Sequence, residues 1–178
     1  MTTLLYALSV QTFVDALTDL SGVLDKGIEH AKAKKLDPGS FLAARLAPDM
    51  FTLIQQVQTA CDHAKSAVAR LAGREAPRFD DNEKTFEDLK ARIKKTIDYV
   101  KSVPESALKG GEERAITVPL FGEMVLEVKG TQLLKDWSLP HFYFHVVTAY
   151  DILRHQGVEI GKREYLAHIG PLIRQKAK

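Results

Sequence analysis

The sequence predicts a mainly all-α fold, with four long amphipathic helices and one small β-hairpin placed before the last helix. Three observations carry that prediction. Apolar residues recur at steps of three and four over four separate stretches. Proline and glycine punctuate the chain between those stretches. One stretch, from Arg114 to Lys129, drops the helical period and becomes rich in Ile, Thr and Val around a glycine. At 178 residues the chain is expected to form one domain, residues 1–178, with enough apolar side chains for a real core.

Helix one is predicted from Ser9 as N-cap. Val10, Phe13, Val14, Leu17, Leu20, Leu24, Ile28 and Ala31 form its apolar stripe, and the basic run AKAKK suits its C-terminus. Asp37-Pro38-Gly39 signals a turn, and Ser40 to Leu46 reads as a short helix. Helix two is predicted to open at Pro48, a favoured first position, and to end at Gly73. Its stripe runs from Leu53 through Val57, Ala60, Cys61, Ala64 and Val68 to Leu71. At ~100° per residue, Asp49, Gln56 and His63 fall in a row along one flank of that stripe.

Asp80 and Glu83 resemble a capping box for helix three, which turns Phe86, Leu89, Ile93, Ile97 and Val100 inward and ends before Pro104. Arg114 to Phe121 and Glu123 to Lys129 read as hairpin strands about Gly122. Pro119, which cannot donate to a ladder, limits its strand to an edge. A lone hairpin is marginal, so it must lean on the helices. After a short helix over Thr131 to Trp137, Pro140 is predicted to open the last long helix and Gly157 to close it. Residues 161–178 carry little pattern beyond a turn around Tyr165 and Leu166, and Arg174, Lys176 and Lys178 read as a solvated basic tail.

Composition excludes several classes. A formal charge of +2 is too small to predict a nucleic-acid partner. No apolar run is long enough to span a membrane, and the N-terminus lacks the basic start of a signal peptide. The single cysteine, Cys61, allows no intrachain disulfide and is compatible with a reducing cytoplasm. Its place in an apolar stripe reads as inert packing. There is no P-loop, no G-x-G-x-x-G fingerprint and no Ser-His-Asp arrangement.

Chemistry is suggested in one place. His141 and His145 are four residues apart, so they stack on one face of the last helix, on the same shoulder as Thr148 and Ile152. With His63 they make three imidazole ligands and leave a position open, the pattern of catalytic rather than structural zinc; imidazole also suits nickel. If helices two and four are antiparallel, His63 and His145 differ by about four residues along the axis, roughly 6 Å. Asp49 or Gln56 are candidates to orient such ligands. The competing reading makes His145 a core-edge histidine bonded to a hydroxyl and His141 an exposed first-turn residue. A bare H-x-x-x-H lacks the glutamate that makes H-E-x-x-H informative. His155 reads as a helix C-cap, and His30 and His168 as surface residues. The aromatic cluster of Trp137, Phe142, Tyr143, Phe144 and Tyr150 reads as core or as a dimer contact.

The blocks ARLAPDMFTLIQQVQTACDHAKSAVARLAG (44–73) and LPHFYFHVVTAYDILRHQGVEIGKREYL (139–166) resemble the two signature blocks of an uncharacterised bacterial family. That family, a domain of unknown function, lies within the DinB/YfiT-like superfamily of four-helix metalloenzymes, and the resemblance covers nearly the whole chain. It implies an up-and-down-like four-helix bundle, often a homodimer, with a divalent nickel or zinc ion on one histidine of helix two and a late H-x-x-x-H pair. Carried over, these positions are His63, His141 and His145. It also implies a small-molecule thiol substrate, as some members of the superfamily transfer low-molecular-weight thiols. The alternative is a non-catalytic bundle acting in stress response or as an interaction module, its histidines structural.

Overall fold

The computed structural model describes residues 2–175. Four long helices carry the fold: α1 (Thr12–Lys34), α2 (Leu53–Leu71), α3 (Phe86–Ser102) and α4 (Leu139–His155). A two-stranded antiparallel hairpin, β1 (Ala115–Pro119) and β2 (Val125–Lys129), precedes α4 and pairs Pro119 with Val125 at its tip. The mainly all-α expectation holds. No described helix is long and apolar enough to cross a membrane. Arg174 of the expected basic tail is exposed, while Lys176 and Lys178 lie outside the described residues.

Helix starts differ from expectation where a better cap was present. The run into α1 begins at Leu4–Tyr6 and passes through a wide π turn, Ala7–Gln11. Thr3 caps it by accepting from the Tyr6 N–H, and Ser9 does not. Ser9 is buried, and its hydroxyl turns back to the Leu5 carbonyl, a bond that competes with the helical ladder at the π turn. Lys35 ends α1 in the left-handed conformation, φ 55°.

The short helix spans Pro38–Leu42 rather than Ser40 to Leu46, because Asp37 accepts from the Gly39 N–H. α2 opens at Leu53, not Pro48, because Thr52 and Gln55 form a reciprocal capping box. Asp49 is therefore in a turn and off the helix. At α3 the box is Thr85 with Asp88, not Asp80 with Glu83.

Pro140 does not open a helix. Gly130–Gln132 leads through a second π turn, Leu133–Ser138, straight into α4. A proline inside a helix removes a bond and crowds the carbonyl four residues back, and the wider turn before Pro140 makes room for it.

The helices are connected up-down-down-up. Phe13 meets Phe142 and Gly27 meets Leu153, so α1 and α4 run parallel. Lys90 pairs with Asp25, and Thr3 bonds Glu105 beyond the end of α3, so α3 opposes α1. Leu71, at the end of α2, lies with Leu5 against Gly111, so α2 also opposes α1 and runs parallel to α3. Parallel neighbours need a connection that crosses the bundle. Residues 72–85 have the reach, on the order of 45 Å extended, against ~28 Å for the 19 residues of α2.

Arg92 pins that crossing. Its guanidinium, almost fully buried, meets Asp62, Asp81 and Glu83 at 2.9, 2.9 and 3.0 Å and donates to the Asp80 carbonyl at 3.1 Å. Phe13, Leu17, Leu24, Leu53, Val57, Leu89, Ile93, Phe142 and Leu153 fill the core between the helices, each at 0–1% exposure. Each such side chain contributes about 1.5–3 kcal/mol by leaving water.

The hairpin is fixed to the bundle by close backbone approach. A Cβ on Gly130 would lie 1.8 Å from the Gly111 carbonyl oxygen, so only glycine fits there. Arg114 adds a bond from Nε to the Leu71 carbonyl at 3.1 Å. Ile116 and Val118 are the buried face of β1.

Candidate metal centre

The α2–α4 pair, the most extensive helix contact of the bundle, is antiparallel, since Gln56 meets His145 while His63 meets His141. This brings the three histidines together. The His63 ring lies 4.8 Å from that of His141 and 5.7 Å from that of His145, with interplanar angles of 22° and 17°. His145 is buried, and His63 and His141 are half-buried.

Two of the rings have their tautomer set from outside. His145 Nδ1–H donates to Gln56 Oε1 at 2.7 Å. The amide orientation follows, because Gln56 Nε2 donates to the Phe51 carbonyl at 3.3 Å. His141 Nδ1–H donates to the Trp137 carbonyl, also at 2.7 Å. Each bond leaves Nε2 with its lone pair free, the form in which imidazole binds a cation. The partner of His145 is thus an amide rather than the hydroxyl of the competing expectation, and Gln56 rather than Asp49 orients the cluster.

Burial pushes the His63 pKa down to about 4, and the neighbouring His141 and His145 push it the same way. Burial, then His141, does the same to His145, also to about 4. Both are neutral at pH 7. His141 is not the first-turn residue expected, since the helical run starts at Gly130.

Aromatic walls surround the imidazoles. Trp137 lies 4.2 Å from the His141 ring, Phe51 stacks on His145 at 6.1 Å, and Phe144 meets His145 edge-on at 5.3 Å. Pro140, His141, Phe144 and His145 line an open, mostly apolar depression. Trp137 and Phe144, expected in a core or dimer cluster, thus flank the imidazoles, and Phe51 joins them without any signal in the helical pattern. Phe51 reaches the site only because α2 starts after it.

The donor set fits a divalent cation chemically: three imidazoles, two held neutral and two oriented. The rings lie face to face, so their lone pairs run side by side. Among the described residues, no three His, Cys, Asp or Glu side chains stand ready to hold a metal ion. Imidazole nitrogens ~2.0–2.1 Å from one ion must converge, which here requires turning the rings about their side-chain bonds.

The sequence family described as "Domain of unknown function (DUF1993)" matches residues 5–166. The chain belongs to the DUF1993 family. No curated protein matches it. The crystal structure of a DinB family member protein from Shewanella denitrificans is similar over 98% of this chain and 96% of that one, at 38% identity and a TM-score of 0.86. This DUF1993 chain is therefore also a DinB-like protein, as its signature blocks led one to expect. The match includes α2 and α4, and with them His63, His141 and His145.

Proposed function

We propose that this DUF1993 protein is a metal-dependent enzyme of thiol-transferase or hydrolase type, with His63, His141 and His145 holding a divalent nickel or zinc ion. The observation that carries the reading is the meeting of three imidazoles from two helices, with Nδ1 of His141 and of His145 engaged and Nε2 left free. A bound ion supplies Lewis acidity, lowering the pKa of a water or thiol at its open position. The chain's own part is to keep His63 and His145 neutral, to orient His145 through Gln56, and to limit water through Phe51, Trp137 and Phe144. The thiol class rests on resemblance to the wider superfamily. A cytoplasmic homodimer completes the proposal. It is supported by the exposed Phe144 and Val147 on α4, by the single buried cysteine, and by the resemblance.

Face-to-face stacking favours a second reading, a non-catalytic bundle whose histidines are packing elements. Elemental analysis of purified wild type, His63→Ala and His145→Ala separates the two. One ion per chain, lost in both variants, supports the metal centre. Equal and negligible metal in all three leaves the packing reading.

A further inference from the structure

On the opposite face of α4 from the imidazoles lies a cavity of about 120 Å3. Tyr143 and Tyr150 of α4, Thr12 and Asp15 of α1, and Tyr165 and His168 of the C-terminal segment line it, over a floor that includes Leu20 and Val23. That segment, Lys162–Tyr165 with Ala167–Leu172, is tied across α1 by Asp19. Asp19 is 5% exposed, and its two oxygens accept from the backbone N–H and the Nδ1–H of His168. His168, expected to be a plain surface residue, is thus a wall of this cavity.

Among the described residues no lysine or arginine lines the cavity, Asp15 stands at its exposed edge, and Asp19 is just behind the wall, paired with His168. Burial pushes the Tyr143 and Tyr165 hydroxyls up, and the nearby charges of Asp15 and Asp19 add to it. Such a field disfavours an anion and favours a cation. Tyr150 donates to the Ile160 carbonyl at 3.2 Å, which fixes its ring, and Tyr165 meets that ring edge-on at 6.0 Å. Several aromatic rings with a carboxylate beside them are the ordinary means of holding an organic ammonium group. At ~30 Å3 per water the space is that of about four waters, the size of a small alkylammonium head.

We propose that this cavity is a binding site for a small free alkylammonium ion, held among Tyr143, Tyr150 and Tyr165 with Asp15 and His168 as its polar partners. It is independent of the imidazole cluster, which lies on the other face of α4.

The test is titration of the full chain with tetramethylammonium chloride, followed by calorimetry and by NMR shifts of the tyrosine ring protons. Tert-butanol serves as a neutral probe of similar size and acetate as an anion. Saturable tetramethylammonium binding is expected, with tert-butanol and acetate at least tenfold weaker. Asp15→Asn, an exposed change that leaves the fold intact, is expected to weaken it about fivefold, and Tyr165→Leu about tenfold. Tert-butanol binding as tightly as tetramethylammonium, or no saturation by on the order of 50 mM, overturns the proposal. So does binding that neither variant changes.

Discussion

Replacing Gln56 by leucine removes the acceptor of His145 Nδ1–H and the donor to the Phe51 carbonyl in one step. Gln56 is 1% exposed, so water does not easily take its place. The Nδ1–H of buried His145, left without a partner, costs about 1–3 kcal/mol, and the lost bond to the carbonyl of the exposed Phe51 adds about 1 kcal/mol. The leucine recovers part of this by its own burial, which leaves a net loss of about 2 kcal/mol. For a chain of this size that lowers the melting temperature by about 4–8 °C. Thermal melts at pH 7.5, followed by circular dichroism, read it directly. Gln56→Glu is the informative companion. Its carboxylate still accepts from Nδ1 but also stabilises an imidazolium, so the His145 pKa should rise in an NMR titration. A leucine variant that melts within about 1 °C of wild type would refute the claim that this bond holds the ring.

Acid should destabilise the protein before ordinary carboxylates titrate. His63 and His145 are pushed down to about 4 in the fold, against about 6.5 in the unfolded chain. Between those values the unfolded state binds more protons, so their contribution is whole above pH 6.5 and is lost as pH falls through 4. Allowing for screening at the half-buried His63, the loss is on the order of 2–4 kcal/mol for the pair. Urea midpoints that do not change between pH 7.5 and 5 would sink this. Arg92→Met strands the nearly buried Glu83 and releases residues 72–85, which should cost about 3–5 kcal/mol and speed limited proteolysis of that segment. An unchanged cleavage pattern would count against the pinning role. Gly130→Ala forces a methyl group into the Gly111 carbonyl and should cost about 3 kcal/mol or more. Amide exchange across β1 and β2 should show the hairpin losing protection, and full protection would contradict the close approach.

The four periodic helices were legible because burial imposes its period on the sequence. The imidazole cluster was half legible. The spacing of His141 and His145 and the antiparallel estimate put His63 within reach, and the structure brings the rings together. The favoured proline at 48 signals an earlier helix start than the true one, which the T-x-x-Q cap of Thr52 and Gln55 sets, leaving Asp49 in a turn. Arg92 sits beside an apolar stripe that hides its role. A long cation among Leu89, Ile93 and Thr96, with acids at 80, 81 and 83, was its available signal. Nothing local foretold the bond between Asp19 and His168, because it joins residues 149 apart that only the closed fold brings together.

The pairing of the second helix with the last one has a consequence during synthesis. Until the ribosome has released the final long segment, the groove that receives Phe142 and Val146 stays open to water, and the ring of His63 has no fellow beside it. The nascent bundle must therefore wait for its last helix. Truncation before Leu139 should therefore leave a sticky fragment in place of a smaller folded bundle.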